Sequence, residues 1–135
     1  MELYEGQKTE RSMYVGPEQV EMYAQLTGDR NPLHFDEAFA AGTKFGRLVA
    51  QGGITTGLLH ALVAMDVPGP GTVFLNQNWQ FTAPVFIGDT ITAEVEVLKV
   101  HDTKPVTHLG IRVTRQDGET VLEGEAWCYT FSSSL

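Results

Sequence analysis

Two incompatible hydrophobic periods meet at Pro68-Gly69-Pro70-Gly71. Upstream, Gly52-Gly53 opens a stretch that runs to about Met65. In it Ile54, Leu58, Leu59, Ala61, Leu62, Val63 and Met65 cover nearly the whole circumference of a helix. A helix that is apolar all round is a buried one. Downstream the period falls to two. Ile91, Ala93, Val95 and Val97 alternate with Thr92, Glu94 and Glu96. Leu109, Ile111 and Val113 alternate with His108, Gly110, Arg112 and Thr114. Strands are expected near 72–82, 89–100, 106–115 and 120–131, as an antiparallel meander, with Asp117-Gly118 as a hairpin turn. A sheet with one apolar face needs a cover, and the buried helix is the candidate. The expected class is α+β: an antiparallel β-sheet wrapped around a long central α-helix.

The amino-terminal part reads as a short strand at 11–15 and a helix that Gly16-Pro17 starts. Val20, Tyr23, Ala24 and Thr27 fall at helical spacing, and Gly28 closes the helix. A second short helix runs from Asp36 to Ala41, ended by Gly42. Between them lies Asp29-Arg30-Asn31-Pro32-Leu33-His34. Pro32 disfavours a continuous helix there and pushes Asn31 toward an extended conformation. An acid and an imidazole thus share a short irregular loop flanked by apolar helices. Acid–base chemistry needs two such groups held at a fixed distance.

With 135 residues the chain is expected to form one domain, 1–135. The 17 acidic and 9 basic residues leave a net charge of −8, which argues against nucleic acid and against anionic membrane surfaces. The single cysteine, Cys128, permits no intrachain disulfide and no cysteine metal cluster, and a reducing compartment is the simplest reading. No apolar run approaches the ~20 residues of a membrane span, and the acidic start lacks a signal-type apolar core, so a cytoplasmic protein is expected.

Gly28-Asp29-x-Asn31-Pro32-Leu33-His34 is similar to the signature of the MaoC-like, (R)-specific enoyl-CoA hydratase family. Val49-Ala50-Gln51-Gly52 resembles the family's turn into its central helix. Pro68-Gly69-Pro70-Gly71, Trp79-Gln80-Phe81-Thr82-Ala83-Pro84-Val85 and Gly88-Asp89-Thr90-Ile91-Thr92-Ala93 resemble its later turns and strands. The resemblance runs from about Leu3 to Tyr129. It implies a hotdog fold, a homodimer whose sheets join edge to edge, and acyl thioesters of coenzyme A or acyl carrier protein as substrates. It also implies that Asp29 and His34 hold the water and move the protons, with His34 as base for water and Asp29 as donor to carbon. Coenzyme A or phosphopantetheine then enters as part of the substrate, and no separate cofactor is expected.

The oxyanion donor is assigned to the backbone N–H of Gly52, with Gly53 beside it, because the first N–H groups of a helix lack helical partners and face the positive end of its dipole. Asn31 is expected to shape the loop. Gln51 and His60 depart from the family pattern, in which histidine often precedes the helix and a small hydroxyl residue stands near the catalytic acid. A second imidazole at the site would suit attack of water on the thioester carbonyl, so a hotdog-fold thioesterase is the alternative. A non-catalytic acyl-thioester binding module is the third reading.

Blander readings apply to each residue. Asp29 could be a cap and His34 a packed loop residue; His60 could be a satisfied core histidine. His101 and His108 read as exposed strand residues, and Glu94 and Glu96 as a solvated sheet face. The four histidines do not fall at metal-ligand spacing, so no metal is expected. No Gly-x-Ser-x-Gly elbow occurs. Cys128 reads as packed. Arg47 either meets a ligand phosphate or pairs with a surface carboxylate, the latter slightly favoured.

Overall fold

A computed structural model describes residues 2–132. Strand β1 (Lys8–Val15) leads into helix α1 (Pro17–Thr27), followed by two short helices, α2 (Pro32–Phe35) and α3 (Glu37–Ala41). Helix α4 (Gly52–Met65) precedes four strands: β2 (Thr72–Phe81), β3 (Asp89–Val100), β4 (Val106–Arg115) and β5 (Thr120–Thr130). The five strands form one antiparallel sheet in the order β1-β3-β4-β5-β2.

The period-two pattern decides which face of the sheet is covered. Ile91, Ala93, Val95 and Val97 on β3 are fully buried, as are Leu109 and Val113 on β4 and Leu122 on β5. Leu59 and Leu62 of α4 meet them in one core cluster. Glu94 and Glu96 point to the other face, Glu94 exposed and Glu96 half-buried.

Three expectations need correction. The first strand begins at Lys8, because Lys8 to Val15 pair in register with Glu96 to Asp89. The meander is incomplete: β2 lies beyond β5, and β1 takes the place beside β3. The turns after β3 and β4 are short and force neighbours together, whereas the segment 82–88 is long enough to carry the chain across the sheet. Helix α4 is not buried all round. Gly57 is exposed and Met65 is 58% exposed, because the isolated sheet covers only part of its circumference.

Candidate active site

The segment 29–34 is organised by its own side chains. Helix α1 ends at Gly28, whose φ of +83° is the left-handed conformation that glycine adopts freely. The backbone N–H of Asn31 donates to Asp29 Oδ1 (3.2 Å), and Asn31 Oδ1 accepts from the N–H of Leu33 (3.0 Å). Asn31 therefore caps α2, a single turn with Pro32 at its start, where an irregular loop was expected. Arg30 grips Glu21 of α1 with both terminal nitrogens (3.0 and 2.7 Å), and this pairing holds the Glu21 carboxyl below its ordinary range.

The α2 turn aims His34 inward, where it is buried. Its Nδ1 lies 2.6 Å from the carbonyl oxygen of Val49. A carbonyl only accepts, so Nδ1 carries the proton and Nε2 presents its lone pair when the ring is neutral. That Nε2 stands 3.7 Å from Asp29 Oδ1. Sequence reading placed Asp29 and His34 together, but could not find Val49, which contributes only a backbone oxygen. The Asp29 side chain is 40% exposed, so the isolated chain leaves this carboxyl open to water on one side.

Val49 and Ala50 are themselves pinned. Val49 N–H donates to Leu33 O (3.1 Å), Ala50 N–H donates to Val85 O (2.7 Å), and Val49 bridges Phe86. The next residue, Gln51, is 1% exposed. Its Nε2 donates to Val20 O (3.1 Å) and reaches Asp29 O (3.5 Å), while its Oε1 has no partner among the described residues. One side chain thus links α1, the acid's backbone and the start of α4.

Gly52 and Gly53 open α4, ahead of its first intrahelical bonds. A Cβ on Gly52 would press on the Phe81 ring at 3.1 Å, and one on Gly53 would collide with the Tyr23 phenol. Gly52 lines a hollow of about 570 Å³ with Thr55 and Phe81. His34 lines a neighbouring hollow of about 540 Å³ with Arg47 and Ile87, and Asp29 lines neither. The segment Lys44–Ala50 runs between the two.

His60 lies apart from this group, two turns down α4 and roughly 12 Å along its axis from Gly52. Its Nε2 is 3.0 Å from Gln77 Oε1, which also accepts from Trp79 Nε1 (2.8 Å). The indole can only donate, so the shared atom is an acceptor oxygen and His60 Nε2 carries the proton. His101 is exposed as expected, but it lies in the turn after β3 instead of in a strand, and its Nδ1 accepts from the N–H groups of Thr103 and Lys104. His108 is half-buried, stacked on Trp127 at 4.3 Å and 3.1 Å from Glu125, a neighbour set by strand register that local sequence does not reveal. Arg47 meets no carboxylate among the described residues; its guanidinium lies 3.9 Å from the centre of the Phe86 ring. Cys128 is fully buried, which pushes its thiol up to about 12 and away from nucleophilic use.

The MaoC like domain profile matches residues 2–120. An (R)-specific enoyl-CoA hydratase of Aeromonas caviae is 41% identical over 121 residues, covering 90% of each chain. A 3-hydroxybutyryl-CoA dehydratase of Methylorubrum extorquens is 43% identical over 104 residues, 77% of this chain and 66% of the relative. The solved structure of an (R)-hydratase from A. caviae involved in PHA biosynthesis superposes with a TM-score of 0.90 at 40% identity, covering 96% of this chain and 98% of that one. The sheet wrapped on α4 is the hotdog fold of that hydratase, and this chain belongs to the MaoC-like domain family.

Proposed function

We propose that this protein is an acyl-thioester hydro-lyase. It adds water reversibly to a 2-enoyl thioester of coenzyme A or acyl carrier protein and gives the (R)-3-hydroxyacyl thioester. The observation that carries this reading is the tautomer of His34. With Nδ1–H committed to Val49 O at 2.6 Å, Nε2 is left as a base facing Asp29 at 3.7 Å.

His34 Nε2 takes a proton from water while the water oxygen bonds to C3 of the enoyl group. The alkene electron pair moves toward C2 and the thioester oxygen. The N–H of Gly52 receives the developing negative charge, an interaction worth roughly 3–4 kcal/mol in related oxyanion sites. The proton gained by His34 passes to Asp29, which delivers it to C2, so the pair ends as it began; dehydration runs the same steps backwards. Asn31 holds the loop and Gln51 holds its backbone, so neither needs to touch the reacting atoms. His60 is engaged with Gln77, which gives no support to a role in thioester hydrolysis.

A homodimer is part of this reading. Strand β2 has one free edge, and Val73 and Leu75 on it are 46% and 56% exposed. A second copy pairing there would extend the sheet and remove both liabilities. Among the described residues no helix is long and apolar enough to cross a membrane. The free, buried Cys128 fits a reducing, cytoplasmic setting.

The test follows crotonyl-thioester absorbance and thiol release in one assay. The wild type is expected to lose the conjugated bond without releasing thiol. Asp29→Asn and His34→Ala are each expected to slow hydration by roughly 10²- to 10⁴-fold with the fold retained. Unchanged hydration in either variant, or thiol release by the wild type, would overturn the assignment.

A further inference from the structure

In an acidic chain an anionic ligand must find local cations. Of the basic side chains, Lys8, Arg11, Arg30 and Arg115 pair with Glu96, Asp66, Glu21 and Asp117. Arg112 stands in register between Glu94 and Glu123. Lys99 and Lys104 belong to the far end of β3 and the turn after it. That leaves Lys44 and Arg47, both exposed and without a carboxylate partner among the described residues, in the loop between α3 and α4.

Their positions are specific. Lys44 lines the hollow that contains Gly52, and Arg47 lines the hollow that contains His34. Arg47 rests over Phe86, with Cζ 3.9 Å from the ring centre. The contact with the ring uses none of its N–H donors on a carboxylate, and a guanidinium's planar fork of donors matches phosphate. Arg47 stands five positions before Gly52, at most ~18 Å of extended chain. A phosphopantetheine arm attached to a thioester at Gly52 can span that gap.

We propose that Lys44 and Arg47 form a phosphate-recognising rim that holds the carrier of the acyl thioester by its phosphate. This rests on the hydratase reading and deepens it. The rim holds the substrate equally in its ground state and its transition state, so it acts on KM and leaves kcat alone.

The experiment compares wild type, Lys44→Gln, Arg47→Gln and the double variant on three crotonyl thioesters: those of coenzyme A, of acyl carrier protein, and of pantetheine, which has no phosphate. For the coenzyme A substrate, KM is expected to rise about tenfold on losing one charge-assisted contact and further in the double variant, at constant kcat. Turnover of the pantetheine thioester is expected to be the same in all four proteins. A parallel loss with the carrier-protein substrate assigns the shared phosphodiester; a loss confined to coenzyme A assigns the nucleotide's phosphates. An unmoved KM for coenzyme A, or an equal loss with pantetheine, overturns the proposal. A wild type inert toward all three thioesters would instead overturn the hydratase reading. Calorimetric binding of free coenzyme A then decides the rim alone, which stands only if the double variant binds more weakly.

Discussion

At the scale of single residues, the site depends on backbone oxygens as much as on side chains. His34 is oriented by Val49 O, and the Asp29 backbone is tethered by Gln51 Nε2. This makes Gln51 an informative position. Replacing it with leucine removes the donor to Val20 O (3.1 Å) and Asp29 O (3.5 Å), and also removes the buried, unpartnered Oε1. The lost hydrogen bonds and the relieved orphan oppose each other, so stability is expected to change by less than about 1 kcal/mol. Catalysis does not share that compensation. A loop freed to drift by a fraction of an ångström misplaces the acid, and kcat is expected to fall about ten- to a hundredfold. Thermal denaturation and steady-state kinetics on the same Gln51→Leu preparation check both halves. A large loss of stability with kcat intact would mean that Gln51 supports only the core.

At the scale of elements, the contact between α1 and α4 explains the second of the two glycines that open the central helix. Alanine in place of glycine within a helix ordinarily gains roughly 0.5–1 kcal/mol. At Gly53 the added Cβ would meet the Tyr23 hydroxyl and ring, and Tyr23 is packed against the core. Overpacking of this kind costs typically 1–3 kcal/mol, so Gly53→Ala is expected to destabilise by about 1–2 kcal/mol. Adding Tyr23→Leu is expected to return part of that loss, a non-additivity that a denaturant double-mutant cycle measures. Simple addition of the two single effects would show that the helices part without strain.

The elements themselves were legible because each carries a local signal. The all-round apolar run marked α4, and alternation marked β3 and β4. Pairing order was not legible where no short turn imposed it, which is why β2 was misplaced beside β3. The site divides in the same way. Asp29, Asn31 and His34 are close in sequence and were legible. Val49 and Phe86 reach the site through long-range backbone pairing and ring stacking, and leave no local trace.

At the scale of the whole molecule, the sheet stops at an open strand. β2 ends it with a free edge, and Val73 and Leu75 stand out from that strand. A second copy paired along β2 would satisfy the unpaired backbone groups of both edges at once. Each copy carries a net charge of −8, so the approach is opposed by long-range repulsion that salt screens. The expected species in solution therefore has twice the 14.8 kDa mass of one chain, and its dissociation constant falls, rather than rises, as salt is added. Lysine at both Val73 and Leu75 places charge on the edge itself, where burial cannot be compensated, and is expected to give monomers. Sedimentation equilibrium of the wild type and the double variant, each at low and moderate salt, reads all of these outcomes. A wild type that sediments as a single chain throughout would leave the edge strand as a solvent-facing terminus and refute the pairing.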